Sequence, residues 1–380
     1  MDTSYLGSPG RRRLLRAGSG ATLGMLAGGL FGKSQIASAQ ALTGPVPEVD
    51  RVAVRVVTDS YLHLFERSTK VGDVEIQRVG QVLPKDNTNP RVMLNEWGLS
   101  LYLESQRAAE NRQVLIDFGW SPQTLLHNMD ILRIDPARID AMILSHGHYD
   151  HFGGLVGFLQ ANRGRLKAGL PFYLGGEECF CTREAGIGDA SGNFGALDRR
   201  AIDEAGLKIL FAEQPTVVAG HAFTTGFIPR ATFERVLSPT RMKPGVQEGV
   251  GCFPDRLDPE KRNVAIVPDD FQHEQATCYN VKGKGLVVMT SCGHRGVVNS
   301  VRGAMKVSGV NKVHAVLGGF HLAPHTPEYQ RETALALKAL DPDWLIPMHC
   351  SGETFIAVAM QELGPKVLRS STGTRFVFGA

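Results

Sequence analysis

The chain lacks the long apolar run that a membrane-spanning helix needs, about 20 strongly apolar residues. Its N-terminal apolar stretch, residues 17–32, is weakly apolar and interrupted by glycines, and no later segment is longer. The mature chain is therefore expected to be soluble. Cysteine is scarce, six in 380 residues, which excludes a disulfide scaffold. No cysteine pair has zinc-knuckle spacing, and Cys179 and Cys181 are too close in sequence for an easy mutual bridge. No G-x-S-x-G is present, so a serine nucleophile of that type is excluded. An excess of positive charge is missing too. The formal net charge is +3, but residues 1–39 hold five cationic side chains and one aspartate, and without them it becomes −1. With no long basic run either, charge gives no support to a nucleic-acid partner.

What the N-terminus does hold is an address. Arg11-Arg12-Arg13-Leu14-Leu15-Arg16 resembles the twin-arginine export pattern, the weakly apolar stretch follows it, and Ala37-Ser38-Ala39 offers the small residues a signal peptidase needs. Residues 1–39 are expected to be a signal peptide, read by the twin-arginine translocation machinery, giving a periplasmic or secreted protein. A basic arm or a membrane anchor is the alternative.

Residues 40–380 read as one α/β domain. Arg51–Thr58 is a β-branched run of strand character, and residues 99–104 and 113–116 are further strands. A helix is expected over 122–132, with Leu125, Leu126 and Met129 on one face. The apolar strand 139–144 then delivers the chain into His146-Gly147-His148-Tyr149-Asp150-His151. Later, strands at 285–289, 313–317 and 344–348 each end near a histidine, His294, His321 and His349, with helices at about 297–307 and 328–340 between them. Strand–helix alternation is an α/β signature, and sites in such sheets sit at the carboxyl ends of strands. Residues 229–270 hold six prolines and no clear periodicity, and are expected to be a long loop insertion over the site.

Two histidines two apart on an extended segment can face one metal ion, and an adjacent Asp-His pair can turn toward a second. Imidazole suits zinc, iron or nickel, and the added carboxylate admits manganese or iron. Gly153 and Gly154 would let backbone and a following helix pack close to the cluster. The bland alternative, a histidine-rich surface loop, fits poorly with a position at the end of a buried strand.

His-x-His-x-Asp-His after a strand resembles the shared motif of the metallo-β-lactamase superfamily. Thr225-Gly226-Phe227-Ile228-Pro229-Arg230, Cys292-Gly293-His294-Arg295-Gly296, Gly318-Gly319-Phe320-His321-Leu322 and Pro347-Met348-His349-Cys350-Ser351-Gly352 are similar to landmarks of one branch, that named for a dihydropterin ribofuranosylaminobenzene-phosphate synthase. The resemblance implies a four-layer αββα sandwich holding one or two divalent transition metals. It implies His146 and His148 on the first metal, Asp150 and His151 on the second, and His349 as the far-end ligand of the second. His294 is the first choice for the intermediate ligand and His321 the second. Neither is an Asp, so a bridging carboxylate is missing. His321 has a second reading, as a substrate contact or a support for a ligand. Asp117 matches the acidic residue placed before the motif, with the role of orienting a ligand histidine; a turn-forming Asp is the alternative. Trp97 stands where the branch shows a histidine before glycine, and is expected to reshape the pocket. His63, His127, His221, His273, His314 and His325 are read as ordinary histidines.

Three functions remain. The first is a metal-dependent hydrolase acting on a small ester, lactone, amide or phosphoester, with zinc as the expected ion and Asp150 both ligating and orienting water. The second is a synthase-like transferase, against which export argues. The third is a metal-binding or redox protein without hydrolytic turnover. Substrate, disulfide pairing and oligomeric state do not follow from the sequence.

Overall fold

The alternation of apolar side chains sets the layers. In Glu110–Ile116 the side chains of Val114 and Ile116 face one buried cluster and Leu115 faces another; in Gly285–Thr290, Val287 and Met289 face the first cluster while Leu286 and Val288 face a third. A strand buried on both faces must be covered on both. The computed structural model describes residues 36–86, 88–186, 191–237 and 240–379, and there the strands gather into two large sheets that pack face to face.

The first sheet has ten strands, in the order Ala37–Ser38, Lys208–Phe211, Pro171–Leu174, Ala141–Ile143, Glu110–Ile116, Ser100–Arg107, Arg51–Thr58, Arg375–Gly379, Val74–Gln77, Thr69–Val71. The second runs Thr216–Val218, Ala222–Thr224, Thr277–Val281, Gly285–Thr290, Val313–Gly319, Trp344–Met348, with Glu48–Val49 beside Thr277–Val281. Val54, Leu101, Ile143, Met289, Leu317 and Ile346 fill the space between them.

Helices cover the outer faces. Pro122–Ile131 begins with a proline in its first turn behind Ser121, whose hydroxyl accepts the Thr124 N–H, a standard N-cap. It buries Leu125 and Met129 beside Phe158 of Leu155–Ala161. The other face is covered by Val297–Ser308, Pro327–Ala339 and Glu353–Leu363. The result is helix, sheet, sheet, helix: the αββα sandwich.

Parallel pairing decides where the site lies. Ala141–Ile143 is parallel to both neighbours, and Gly285–Thr290, Val313–Gly319 and Trp344–Met348 are mutually parallel. Their carboxyl ends meet at one edge of the sandwich, since the histidines that follow them in the two sheets come within 4.8 Å of one another. Gly154 lets the chain leave that edge closely, since a Cβ there would lie 2.2 Å from the Phe118 carbonyl oxygen.

The structure departs from the sequence reading in two places. Residues 229–270 are not one loop: Thr240–Lys243 and Val267–Pro268 join Thr182–Ala185 and Gly192–Asn193 in a small third sheet, and Gly245–Gln247 pairs with Val250–Cys252. Strands of two to four residues are too short to show a period, and one partner lies far back in the sequence. A disulfide, Cys181–Cys252, ties this sheet to its hairpin. The closing helix Glu353–Leu363 and strand Arg375–Gly379, the latter antiparallel to Arg51–Thr58, also went unread. The expected signal segment lies outside the described residues up to residue 35; of its end, Ala37–Ser38 pairs in parallel with Leu210 and Phe211. Among the described residues no helix is long and apolar enough to cross a membrane.

Candidate metal centre

The strand Ala141–Ile143 ends, and the chain turns through His146 and His148 into the short helix Tyr149–Phe152, which carries Asp150 and His151. His294 follows the strand Gly285–Thr290, and His349 follows Trp344–Met348. His146, His148, Asp150, His151, His294 and His349 are all buried. They form two groups: ligand atoms of His146, His148 and His294 lie within 4.8 Å of one another, and so do those of Asp150, His151 and His349. The groups adjoin, with the rings of His146 and His151 4.2 Å apart.

The polar atoms facing this space have no other use. His146 Nε2, His151 Nε2, Asp150 Oδ1 and both ring nitrogens of His294 are buried without a hydrogen-bond partner. Each such atom costs about 1–3 kcal/mol, so five together rival the whole stability of a domain, about 5–15 kcal/mol. A cation among them removes that cost, and the donor set, imidazole nitrogen with one carboxylate, suits a divalent transition metal. The residues present therefore fit the metal that the motif implies.

Protonation points the same way. Burial, then the neighbouring histidines, pushes His146 and His294 well below the usual imidazole value. Burial also takes His148 down to about 3, against the pull of Asp269 and Asp150. All three are neutral at physiological pH, the form that binds metal. Burial alone would raise Asp150, but His151 and His349 outweigh it and hold the carboxyl ionised, well below its ordinary range. His349 is the exception. Burial disfavours its charged form, yet Cys350 and Asp150, whose Oδ2 lies 3.2 Å from Nε2, raise it to about 9.

Four carboxylates hold the histidines in place. Asp117, fully buried with φ of +57°, accepts from Ser145 N (2.8 Å) and Ser145 Oγ (2.7 Å), and its Oδ2 lies 2.8 Å from His151 Nδ1. That fixes which nitrogen of His151 faces the centre. Asp269, ionised beside the fully buried Arg183 at 2.7 Å, meets Thr240 Oγ1, which in turn meets His148 Nε2 at 2.8 Å. Glu274 accepts the backbone N–H of His294 (2.9 Å) and Arg295 (2.7 Å); burial raises its carboxyl to about 7. Asp59 accepts the backbone N–H of His349 at 2.9 Å, and burial raises it to about 6. Phe271 stacks on His294 at 3.8 Å, and Trp97, 52% exposed, lies 4.9 Å from the ring of His349.

His321 joins neither of these two groups, but a ligand atom of it lies within 4.8 Å of one of His294. It is half-buried with φ of +47°, its ring 4.1 Å from His294, and its Nε2 faces the Leu237 carbonyl at 3.1 Å. Asp150 is the one carboxylate in the ligand groups among the described residues. Of these supports the sequence shows Asp117 but not Asp59, Asp269, Glu274, Arg183 or Phe271. Nor does it mark the thiol of Cys292, which lies within reach of ligand atoms from both groups.

Residues 101–166 match the family model for the metallo-β-lactamase superfamily, and they lie within the αββα sandwich. Among particular proteins, the chain is 29% identical over 264 residues to the 7,8-dihydropterin-6-methyl-4-(β-D-ribofuranosyl)-aminobenzene-5'-phosphate synthase of Methanocaldococcus jannaschii, covering 68% of this chain and 82% of that one. A second, uncharacterized protein of the same organism is 27% identical over 269 residues, covering 70% and 88%. A solved metal-dependent hydrolase of the β-lactamase superfamily superposes with a TM-score of 0.60 at 21% identity, covering 85% of this chain and 98% of that one. That likeness establishes the fold.

Proposed function

We propose that this protein is a metal-dependent hydrolase that directs water onto an ester, lactone, amide or phosphoester centre. The observation that carries the reading is the pair of adjoining ligand groups, His146–His148–His294 and Asp150–His151–His349, with their unpartnered buried atoms turned to one space. One or two divalent cations held there, zinc in this reading with manganese or iron as alternatives, supply Lewis acidity toward water and the scissile oxygen. The chain's residues do the rest. Asp150 Oδ1, ionised and without a partner, is the atom that holds a proton of the attacking water. Asp117 keeps His151 in one tautomer, and the Asp269–Thr240 pair does the same for His148. Trp97 and His321, both partly exposed, border the centre and orient a small-molecule substrate.

The test is a panel of lactones, thioesters and phosphodiesters given to the mature protein with and without chelator. Chelator-sensitive turnover that disappears in His148→Ala supports the reading. Metal binding without turnover on any member would make the protein a binder, and activity left intact in His148→Ala refutes the assignment.

The similarity to the synthase favours a second reading, transfer that joins a pterin to a phosphoribosyl aromatic amine. Failure to condense such substrates under reducing conditions would remove it. The export reading weighs against it, because phosphorylated pathway intermediates are cytosolic. Export itself is part of the proposal: the Arg11-Arg12 pattern, with the twin-arginine machinery as partner, sends the folded protein to the periplasm or beyond, and a Cys181–Cys252 disulfide suits an oxidising compartment. Arg11→Lys with Arg12→Lys is expected to abolish the mature form outside the cytoplasm; its persistence there refutes the address.

A further inference from the structure

Among the described residues no carboxylate other than Asp150 stands in the ligand groups, so none fills the expected bridging place, and a sulfur stands in the gap. Cys292 is 2% exposed. Its Sγ lies within 4.8 Å of ligand atoms of His146 and His151 in one set, of His294 and His321 in a second, and of His349 and Cys350 in a third. It therefore touches both groups, which no other side chain of the cluster does across so many members. The histidine atoms around it are among the buried atoms that lack a partner, His146 Nε2, His151 Nε2 and both nitrogens of His294. We infer that Cys292 is a metal ligand shared between the two groups, a thiolate filling the place of the bridging carboxylate. The inference rests on the metal-holding part of the functional reading, not on hydrolysis.

The surroundings of the thiol fit that role. Binding breaks its S–H bond as the sulfur–metal bond forms, and the proton needs an acceptor. His321 Nδ1 is 3.6 Å from the sulfur. His321 Nε2 faces the Leu237 carbonyl, and a carbonyl only accepts, so in the neutral ring Nε2 carries the hydrogen and Nδ1 is open. Half-buried, His321 can pass the proton on to solvent. The second thiol, Cys350, is differently placed. It accepts the His321 backbone N–H at 3.2 Å and faces the Cys292 carbonyl at 3.6 Å, and of the two ligand groups it lies near His349 alone. Gly319 permits this crowding, since a Cβ there would lie 2.9 Å from Cys350 Sγ. The two sulfurs are 3.1 Å apart, so the rival arrangement is a Cys292–Cys350 disulfide, which would withdraw the thiolate.

Cobalt distinguishes these outcomes, because a thiolate bound to Co(II) gives an intense near-ultraviolet charge-transfer band that imidazole and carboxylate do not. The mature protein, stripped by chelation and reloaded with Co(II), is expected to show the band. Cys292→Ser is expected to lose it and to weaken metal binding by about tenfold or more, while Cys350→Ser keeps it. No band in the unsubstituted protein, a band retained in Cys292→Ser, or a Cys292–Cys350 disulfide found by mass spectrometry of metal-loaded protein overturns the inference. The unsubstituted protein gives its own answer even if a variant fails to fold, through the presence or absence of the band. A band without hydrolysis sinks the hydrolase reading alone; hydrolysis without a band sinks this inference alone.

Discussion

The two halves of the metal centre are built differently. The first half places four candidate ligands within six consecutive residues, His146 to His151, at the end of one strand. The second gathers His294, His321 and His349 from the ends of three parallel strands. Their supports differ accordingly. In the first half buried carboxylates act on the rings, Asp117 on His151 directly and Asp269 on His148 through Thr240. In the second half they act on the backbone, Glu274 at His294 N–H and Asp59 at His349 N–H. A compact loop has freedom in its side chains that must be removed ring by ring. A strand end already fixes the direction of its side chain, so it is enough to pin the main chain where it leaves the sheet. His349 and His321 do so with φ of +47°, a conformation that costs a non-glycine residue roughly 1–2 kcal/mol and persists only where surrounding contacts impose it.

The comparison is broken most severely by removing a ligand from each half. His148→Ala and His349→Ala are each expected to lose about one metal equivalent and to cut turnover by roughly 10³-fold or more, which is about 4 kcal/mol of transition-state stabilisation. Plasma mass spectrometry for metal and initial rates for turnover check this. If His349→Ala keeps full metal content and rate, the second group is not a working half of the site.

The supports separate the halves next. Asp117→Ala frees the His151 ring and is expected to weaken metal binding about 10–100-fold. Asp59→Ala removes no hydrogen bond to the His349 ring but strips the His349 and Ser60 N–H groups of their acceptor. It is expected to cost roughly 1–3 kcal/mol of stability with a smaller change in metal affinity. Competition titration and thermal denaturation on both variants would show the contrast, and equal effects of the two on affinity would erase it.

Acidity draws a second division, between the two ligand groups. His146 and His294 lie well below the usual value and His148 at about 3, so no proton competes for that group near neutral pH. His349, raised to about 9, must lose a proton before it can ligate. Metal affinity of the Asp150–His151–His349 group is therefore expected to rise with pH until about 9, by up to about tenfold per unit, and that of the three-histidine group to stay level. The metal-free protein runs the other way. A raised histidine pKa stabilises the fold fully below its unfolded value near 6.5, and that contribution fades as pH climbs through about 9. Stoichiometry measured at pH 6 and pH 9 reads the first effect.

How much was legible in the sequence follows from the same contrast. The loop 146–151 declares itself because its ligands are contiguous, and the strands feeding both halves were read to within a few residues because each is an apolar run. Asp117 was legible as the end of the strand before the motif. Asp59 was not, because its partner His349 is 290 residues away. Arg183 comes from the small third sheet and Asp269 follows one of its strands, short strands that carry no readable period. Cys292 was visible as part of a landmark but not as a ligand, since nothing local tells that its sulfur faces both groups. Chemistry concentrated in one segment can be read from that segment; chemistry assembled by pairing distant strands needs the pairing.

The smallest expected effect lies at the rim, where each ligand group has an aromatic neighbour. Phe271 is fully buried and stacks flat on His294, so it belongs to the packing of the centre. Trp97 is half exposed, its ring tilted 50° to His349, so little of its surface stabilises the fold. Trp97→Ala should therefore leave metal content unchanged and shift stability by less than about 0.5 kcal/mol, as for surface positions generally. It should act on substrate, because the indole offers apolar area beside the centre. A change in KM of a few-fold with kcat nearly constant is the signature of binding that is equal in ground and transition states. A fall in kcat with KM unchanged would instead place Trp97 among the groups that position His349, and the rim would then belong to the second half of the centre and not to the substrate.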